Sequence, residues 1–319
     1  MAIVLEAIKI LGTIGKEIRK EQYFYGLIEK GVLVTGADGQ LGSELKEISR
    51  QINLPFRFHF TDTDILDITR REQVDEFVKI NQIEYIINCA AYTAVDKAET
   101  DKEMAFAVNV TGIENIADVA KKYQAKVIHI STDFVFDGES DIPYKESDSV
   151  NPLSVYGETK LEGEKVLQSL ASEWIIIRTS WLYSTYGTNF VKTMIRLMSE
   201  RESITVVEDE IGSPTYAADL AEMIMYILQY SEEKEWKTGL YHFANRGEVS
   251  RFDLASEIRR QAGIEKSELL AISSEKYGAS AKRPSYSALD TTKISNDFKV
   301  EIPEWEDSLK RCINKLKTN

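Results

Sequence analysis

Short apolar runs alternate with longer amphipathic stretches along the chain from Gly31 onward. This alternation is typical of β-α-β units, in which helices join and cover the strands of a parallel sheet. The apolar runs predict strands at 31–35, 56–60, 84–89, 126–131, 174–178 and 240–243. Helical spacing predicts helices at 40–52, 70–80, 102–122, 155–171, 188–201 and 217–229. We therefore expect an α/β fold, a Rossmann-type doubly wound parallel sheet.

The alternation weakens after about residue 180, where turn-forming sequences interrupt it. This change predicts a smaller C-terminal lobe beside the domain that contains the sheet. The sheet domain is assigned to 30–180 together with about 215–245, and the lobe to 181–214 and 246–319.

Residues 1–29 form an N-terminal extension ahead of the first predicted strand. Apolar residues there approach helical spacing and predict an amphipathic helix over 1–28. Glu6 and Lys9 interrupt the apolar run well short of the roughly 20 residues that a membrane span needs, and no signal-peptide cleavage site is evident. We expect an accessory helix or an extended translation start, with docking of a partner as the alternative.

The composition narrows the classes of partner and location. The 52 acidic residues outnumber the 39 basic ones, and the formal net charge is −13. Without a local basic cluster we expect neither nucleic acid nor a membrane as partner. The two distant cysteines, Cys89 and Cys312, cannot form a disulfide framework, which favours a cytoplasmic location. Three widely separated histidines exclude an H-E-x-x-H zinc site and disfavour a histidine-dependent triad.

A glycine-rich turn joins the first predicted strand to the first helix. Gly36, Gly39 and Gly42 form the pattern G-x-x-G-x-x-G. The first glycine allows the tight turn, the second lets the backbone approach a pyrophosphate, and the third lets the helix and the strand pack closely. The N-terminus of the helix would then face the anion. Any tight turn can use glycines, but the strand-turn-helix context favours a dinucleotide site.

An acidic residue about 20 positions after such a turn usually binds the adenosine ribose. Asp62 occupies that place, and its carboxylate would repel the 2′-phosphate of NADPH. Asp64 and Asp67 crowd the same loop, and these acidic residues could simply be solvated. Arg57 on the preceding strand could accommodate a phosphate, so the choice between NADPH and NADH stays open.

Tyr156 and Lys160 are candidates for acid-base chemistry, because a spacing of four places them on one face of a predicted helix. A phenol with an ordinary pKa near 10 is a poor proton relay at neutral pH, but an adjacent ammonium lowers that pKa. The pair alone is weak evidence for catalysis, since chance produces such spacings in a chain with 15 tyrosines. Its position after the glycine turn and a strand that ends in Ser131 and Thr132 favours a catalytic role.

Other residues near the predicted sheet edge have simpler interpretations. Ala90 and Ala91 follow the third strand and would let a flat cofactor lie against the carboxyl edge. Cys89 is expected to be a buried strand residue. His129 and Asn109 are expected to be ordinary polar residues of the core.

Taken in order, these motifs resemble the extended short-chain dehydrogenase/reductase superfamily and, more narrowly, its dTDP-4-dehydrorhamnose reductase family. The segments that carry the resemblance are the glycine turn, 91–99, 131–136, 156–160, 178–181 and 212–215. The resemblance runs from about Gly31 to the C-terminus. It implies an NAD(P)H-dependent oxidoreductase that reduces the 4-keto group of dTDP-4-dehydro-6-deoxy-L-mannose to dTDP-L-rhamnose. The sheet domain would then bind the dinucleotide, and the lobe the dTDP-sugar substrate.

The resemblance also implies roles for individual residues. Tyr156 would donate a proton to the developing alkoxide, Lys160 would lower the pKa of Tyr156 and bind the nicotinamide ribose, and Thr132 would hydrogen-bond the carbonyl oxygen. The implied cofactor-binding residues are Gly36, Gly39, Gln40, Leu41, Gly42, Asp62, Asp67, Ile68, Ala90, Ala91, Thr93, Tyr156 and Lys160. The implied substrate-binding residues are Thr93, Val95, Thr132 and Trp181, with Asn189 and Arg283 as further candidates. Trp181 could equally belong to the core of the lobe.

Related activities are weighed by single positions. Sugar-nucleotide 4,6-dehydratases of the superfamily need an Asp-Glu pair where this chain has Asp133 and Phe134, and a phenylalanine cannot act as a base. Nucleotide-sugar epimerases retain the same tyrosine and lysine, so an epimerase stays an alternative. A non-catalytic NADP-binding regulatory subunit with this fold is a second alternative.

Metal binding is a point of departure from the resembled family, in which some reductases are dimers bridged by Mg²⁺ on glutamates. Glu44 matches one such ligand, but Ala218 stands at the place of another. A hard cation that lacks a ligand loses part of its oxygen shell, although Asp219 could compensate. We therefore assign no metal ligand, keep Mg²⁺ dependence open, and expect a monomer or a homodimer.

Overall fold

The computed structural model describes residues 29–51 and 55–318. Its strands are β1 (Lys30–Thr35), β2 (Phe56–Thr61), β3 (Ile83–Asn88), β4 (Lys126–Thr132), β5 (Trp174–Thr179), β6 (Leu182–Tyr183), β7 (Ser203–Val207), β8 (Ile211–Gly212), β9 (Thr215–Tyr216), β10 (Gly239–His242), β11 (Val249–Ser250) and β12 (Glu268–Ile272). Its α-helices are α1 (Gln40–Ser49), α2 (Arg71–Asn81), α3 (Val95–Ala98), α4 (Lys102–Phe106), α5 (Gly112–Tyr123), α6 (Val155–Leu170), α7 (Phe190–Glu200), α8 (Ala217–Glu233), α9 (Arg251–Ala262), α10 (Ser274–Tyr277), α11 (Thr292–Phe298) and α12 (Trp305–Thr318).

A six-stranded parallel sheet forms the centre of the fold, in the order β10-β5-β4-β3-β1-β2. The six predicted strands are confirmed, and their ends shift by no more than one residue. The chain passes from β1 to β2 on one side and returns to β3 on the other side of β1. This reversal opens a crevice at the carboxyl ends of β1 and β3, where ligands of doubly wound sheets bind.

Helices cover both faces of the sheet. Val32 and Val34 of β1 point into a core that Leu45 of α1 and Leu220 of α8 help to form. Leu33, between them, points into the opposite core, against helices α2 and α5. Side chains of a strand alternate between its faces, and both faces of this sheet are buried. That burial explains why the strands are continuous apolar runs in the sequence.

A third core lies outside the two layers that cover the sheet. Helices α7, α9 and α12 contribute Val191, Leu254 and Leu309, and Val206 of β7 joins them. Strand β7 pairs with β12, and β6 pairs with β9, in small two-stranded sheets. The division of the chain into two domains stays a prediction.

The predicted helix over 102–122 is wrong in detail, because the structure divides it into α4, a π-helical segment (Ala107–Thr111) and α5. Asn109 lies in the π-helical segment and is buried. Its side chain accepts a hydrogen bond from the backbone N–H of Tyr92 at 2.9 Å and donates to the hydroxyl of Thr159 at 3.1 Å. A π-bulge of this kind inserts a residue into a helix and commonly marks a functional site.

Smaller differences concern the ends of elements. Helix α1 ends at Ser49, because Arg50 and Gln51 turn more tightly and bond to carbonyls three residues back. Helix α7 begins at Phe190, since the side chain of Asn189 caps it. The predicted helices at 70–80, 155–171 and 217–229 are confirmed as α2, α6 and α8.

The helix predicted for 1–28 lies outside the described residues. None of the described helices is long and apolar enough to span a bilayer.

Candidate active site

A cleft of about 850 Å³ opens at the carboxyl edge of the sheet. The glycine turn, the loops after β2 to β5, helix α6 and the first residue of α9 line it. All the cofactor-binding and substrate-binding residues implied by the resemblance lie along this cleft, as does Arg283; Asn189 does not. The structure therefore brings these residues together, and their individual roles stay predictions.

The glycine turn is shaped by two close backbone approaches. Gly36 has φ +64°, and a Cβ there would lie 2.7 Å from the backbone nitrogen of Ala90. A Cβ at Gly42 would overlap the carbonyl oxygen of Gly36 and the Cα of Ala37. Gly39 is more open, with only the oxygen of Gly36 within 3.2 Å of such a Cβ. The backbone at Gly39 thus forms a bare surface at the N-terminus of α1, which suits a pyrophosphate.

Asp62 follows β2 and supports the glycine turn. One oxygen of its carboxylate accepts from the backbone N–H of Asp38 at 3.1 Å and the other from that of Thr63 at 2.8 Å. The carboxylate of Asp67 accepts from the backbone N–H and the hydroxyl of Thr69. Neither aspartate is therefore a purely solvated turn residue, and both line the cleft.

Arg57 does not reach the cleft, which overturns the suggestion that it accommodates a phosphate. Its guanidinium donates to the backbone oxygen of Asn81 at 2.9 Å and to Nε2 of His59 at 3.2 Å. These contacts hold the side chain at the exposed edge strand β2, away from the glycine turn.

Cys89 also differs from expectation, because it follows the end of β3 and is only half-buried beside the cleft.

Helix α6 carries Tyr156 and Lys160 to the end of β4. The hydroxyl of Ser154 caps this helix by accepting from the backbone N–H of Gly157 at 3.2 Å. Gly157 packs so closely on the backbone oxygen of Phe134 that a Cβ would overlap it. The ring of Phe134 also lies 5.5 Å from that of Tyr156, edge to face. These contacts fix the phenol beside Thr132, the last residue of β4.

The phenol of Tyr156 is held in its protonated form. Burial raises the pKa of Tyr156 to about 12; the hydroxyl of Thr132 opposes that rise, and the charge of Asp133 adds to it. We expected the neighbouring ammonium to lower this pKa, but the pKa is raised, and Lys160 is not among the groups that shift it. A protonated phenol is the form that a proton donor requires at neutral pH.

Lys160 is buried, and backbone and side-chain acceptors hold its ammonium. Its Nζ donates to the backbone oxygen of Ile130 at 2.7 Å and lies 3.3 Å from Nε2 of His129. Burial lowers the pKa of Lys160 to about 8, although the carboxylate of Glu164 opposes this effect. The ammonium therefore persists at neutral pH but is lost in mildly alkaline solution.

His129 is a buried polar residue of the core, as expected. Its Nδ1 lies 2.9 Å from the side-chain amide of Asn88, and the other end of that amide lies 2.5 Å from the hydroxyl of Thr35. A buried polar chain thus runs from Lys160 across β4, β3 and β1 beneath the cleft. Its members are far apart in sequence, so spacing along the chain gives no signal for it.

The chain matches the family described as "RmlD substrate binding domain" over residues 30–318. It is 40% identical over 293 residues to the dTDP-4-dehydrorhamnose reductase of Escherichia coli, covering 90% of this chain and 98% of that protein. It is 41% identical over 285 residues to the reductase of the same name from Aggregatibacter actinomycetemcomitans, covering 88% and 97%. The chain belongs to the dTDP-4-dehydrorhamnose reductase family.

Solved structures agree with this membership. The dTDP-4-dehydrorhamnose reductase of Bacillus anthracis, solved in complex with NADP, superposes with a TM-score of 0.85 at 40% identity, covering 90% of this chain and 99% of that one. The UDP-glucose 4-epimerase of Thermus thermophilus superposes with a TM-score of 0.75 at 17% identity, covering 90% and 99%, and supports the Rossmann-type fold alone. The family is one of NAD(P)H-dependent oxidoreductases, and this chain is such an enzyme.

The two further residues suggested for substrate binding, Arg283 and Asn189, lie in different places relative to the cleft. Arg283 lines the cleft, where its guanidinium pairs with the carboxylate of Asp96 at 2.7 Å. Asn189 lies behind the cleft, because its amide donates to Gln40 Oε1 at 3.0 Å and to the oxygen of Ser184 at 2.7 Å. The structure therefore gives its suggested contact with substrate no support, and its amide joins the start of α7 to α1.

Trp181 both lines the cleft and packs within the protein, so its two interpretations are compatible. Its indole contacts Gly212, where a Cβ would lie 2.5 Å from the ring. The guanidinium of Arg251 lies 3.5 Å from the centre of the ring on its face. Sequence reasoning missed Arg251, because it is the first residue of α9 and lies far from every motif.

Asp133 is a second cleft residue to which sequence reasoning gave no role in reduction. One oxygen of its buried carboxylate accepts from the hydroxyl of Thr132 at 3.0 Å. Its other oxygen has no hydrogen-bond partner among residues 29–51 and 55–318. Burial raises the pKa of Asp133 to about 6, against the lowering effect of neighbouring hydroxyls and of Arg251.

The carboxylates suggested for Mg²⁺ do not fit a metal site. Glu44 is buried and accepts from the hydroxyl of Ser184 at 2.6 Å, with Lys315 beside it at 3.4 Å. Asp219 is likewise buried, and its oxygens accept from neighbouring side chains of Asn245, Ser308 and Arg311. Within the described part of the chain, no group of three or more His, Cys, Asp or Glu side chains is placed to hold a metal.

Proposed function

We propose that this protein reduces the 4-keto group of dTDP-4-dehydro-6-deoxy-L-mannose to dTDP-L-rhamnose with NADPH or NADH. The observation that carries the proposal is the position of the half-buried Tyr156 beside Thr132 and Lys160, in the same cleft as the glycine turn. The activity after which the relatives are named, with NADP bound in one of them, supports the same reaction. The sheet domain would hold the dinucleotide, and the lobe would hold the sugar nucleotide.

The residues of the cleft fit a dinucleotide. The bare backbone at Gly39 and the N-terminus of α1 suit the pyrophosphate, and Asp62 suits the adenosine ribose. An ammonium has three N–H donors; that of Lys160 directs two to Ile130 and His129, which leaves one for a ribose hydroxyl. When bound, the reduced dinucleotide supplies the hydride that the ketone carbon receives.

The side chains of the cleft would supply the proton and stabilise the charge. The hydroxyl of Thr132 would turn from Asp133 to the ketone oxygen and donate to it together with the phenol of Tyr156. Tyr156 would transfer its proton as that oxygen becomes an alkoxide. The high pKa of Tyr156 retains the proton until then. The ammonium of Lys160 would stabilise the phenolate that is left.

The test mixes the purified full chain with NADPH or NADH and the 4-keto sugar, and follows the absorbance of the reduced nicotinamide. Tyr156→Phe should lower kcat by about 100-fold or more, because general acid catalysis is lost, while dinucleotide affinity persists. Tyr277→Phe, on an exposed tyrosine, is the matched control. Dinucleotide binding without oxidation would favour a regulatory subunit, and interconversion of sugars without net oxidation would favour an epimerase.

A further inference from the structure

Arg251 lies at the substrate end of the cleft, in a position that neither a motif nor the proposed reaction assigns. We propose that its guanidinium binds the diphosphate of the sugar-nucleotide substrate. The inference deepens the proposed function and rests on it, because it concerns the anion that the same cleft would receive.

Stacking fixes the guanidinium in place. It lies 3.5 Å from the ring centre of Trp181 and 5.2 Å from that of Phe190. Arginine stacks on aromatic faces while the edge of its planar group stays free to donate hydrogen bonds. The contact with Trp181 therefore orients the N–H donors of Arg251 and limits the side-chain entropy that binding would cost.

The terminal donors of Arg251 are less engaged than those of the other cations in the cleft. The ammonium of Lys160 donates to Ile130, and the guanidinium of Arg283 pairs with Asp96 and donates to the backbone oxygen of Ala281. Glu210 forms an ion pair with Arg251, in which its Oε2 lies 3.6 Å from Nε, so it engages one side of the guanidinium. The two terminal NH2 groups donate no hydrogen bond to residues 29–51 or 55–318.

The position of Arg251 matches the substrate and not the dinucleotide pyrophosphate. Its guanidinium stacks on Trp181, which lines the same cleft as Thr132, whereas the glycine turn follows β1. Its charge also lowers the pKa of Asp133, which directly follows Thr132 at the end of β4. A sugar whose C4 ketone is bound at Thr132 would carry its diphosphate on C1, across the ring, toward the part of the cleft that Trp181 and Arg251 line.

Charge and geometry favour a diphosphate as the ligand. Burial lowers the pKa of Arg251 to about 10, so the group stays charged at neutral pH. A guanidinium binds phosphate oxygens through two parallel hydrogen bonds, which an ammonium cannot do. The protein carries a net charge of −13, so an anionic substrate needs a local cation to enter.

The experiment measures binding of dTDP and of thymidine to the full chain saturated with NADP⁺, by calorimetry and by competition. Arg251→Gln should raise the Kd of dTDP by about 10- to 100-fold, the range expected for lost hydrogen bonds to a charged group. Its affinity for thymidine, which has no phosphate, should not change. Arg251→Lys should recover part of the loss, because it keeps the positive charge but cannot form the two parallel hydrogen bonds of a guanidinium.

Two control variants separate ligand binding from a structural role. Glu210→Gln should leave dTDP affinity unchanged or improve it, because it releases Arg251 from its acidic neighbour. Arg246→Gln removes an exposed arginine that is paired with Glu304, and it should not affect either ligand. Equal losses in the Arg251 and Glu210 variants, or parallel loss of thymidine binding, would assign Arg251 to the structure and overturn the proposal.

Unchanged affinity of Arg251→Gln for dTDP would also overturn it. The result is separable from the reaction itself, since binding is measured without turnover. Wild-type protein that binds dTDP through Arg251 but does not oxidise NADPH with the 4-keto sugar would contradict the proposed function alone. In turnover, Arg251→Gln should raise KM for the sugar nucleotide more than it lowers kcat.

Discussion

The Nζ of Lys160 lies 3.3 Å from Nε2 of His129, and both side chains are buried beneath the cleft. An ammonium can only donate, so Nε2 accepts while Lys160 is charged. The neutral ring then carries its proton on Nδ1 and donates it to the side-chain amide of Asn88, whose oxygen faces Nδ1 in that state and whose nitrogen faces the hydroxyl of Thr35. Burial together with the charge of Lys160 lowers the pKa of His129 well below its ordinary value, which agrees with a neutral ring. His129 is therefore a positioning residue that supports the charge of Lys160.

His129→Leu should move the alkaline limb of the reduction rate to lower pH. The pKa of Lys160 is about 8, so its positive charge is present below that pH and is lost as the pH rises through it. Loss of the acceptor should lower this pKa by about one unit. The measurement is kcat/KM between about pH 6 and 10, because the pH dependence of kcat/KM gives the pKa values of the essential groups in the free enzyme. His129→Gln, whose amide oxygen can accept, should restore part of the shift. An alkaline limb that both variants leave unchanged would contradict this role.

Asp133→Asn should stabilise the fold at pH 8. The pKa of Asp133 is raised to about 6 in the folded state, so the folded protein binds a proton more tightly than the unfolded chain and loses stability as the pH rises toward 6. The amide carries no charge and keeps an oxygen for the hydroxyl of Thr132. The gain should be about 1 to 3 kcal/mol at pH 8 and should shrink as the pH falls below about 6. Urea denaturation at both pH values checks it, and a gain that does not depend on pH would contradict the assignment.

Gly39→Ala and Gly42→Ala should separate cofactor binding from folding. A Cβ at Gly39 meets only the oxygen of Gly36, at 3.2 Å, so the variant should fold but bind the dinucleotide at least about 10-fold more weakly. A Cβ at Gly42 overlaps the backbone of Gly36 and Ala37, so this variant should lose about 1 to 3 kcal/mol or more of stability. Thermal melts with and without NADP⁺ test the pair. Equal loss of stability in both would contradict the assignment of Gly39 to the pyrophosphate.

The sequence predicts the sheet and the glycine turn well, because local patterns determine them. Strands buried on both faces are continuous apolar runs, such as Ile175 to Ile177 in β5, and the turn glycines follow β1 directly. The π-helical segment was missed, because it depends on contacts that Asn109 makes with distant residues. Helical spacing alone cannot distinguish it from an α-helix.

In the candidate site, too, local motifs predict the residues that they contain, and contacts between distant residues are not visible in the sequence. Tyr156 and Lys160 belong to one motif on one helix, and they reach the cleft as that motif suggests. Arg57 was suggested from its place on the second strand and Asn189 from the resemblance, and both bond elsewhere, since each finds a nearer partner in the folded chain. Arg251 reaches the cleft from α9 and is visible only once the tertiary structure brings it against Trp181.

Breaking the buried ion pair between Arg178 and Glu164 should destabilise the fold near the site. The guanidinium donates to both carboxylate oxygens, at 2.9 and 2.7 Å, and the two side chains are only 4% and 1% exposed. Ser131 donates to the same carboxylate at 2.5 Å, which ties α6 to β4. Arg178→Met would leave Glu164 charged and without its cation, so it should cost about 3 to 5 kcal/mol in urea denaturation.

The exposed pair of Arg196 and Glu200 on α7 provides the matched control, because its side chains are 59% and 55% exposed. Arg196→Met should cost no more than about 0.5 kcal/mol, since water screens the pair. Adding Glu164→Leu to Arg178→Met should recover much of the loss, because the second substitution removes the stranded charge along with its cost of burial. Similar losses in Arg178→Met and Arg196→Met would mean that water reaches Glu164. A buried ion pair that excludes water would then not be what holds α6 to β4.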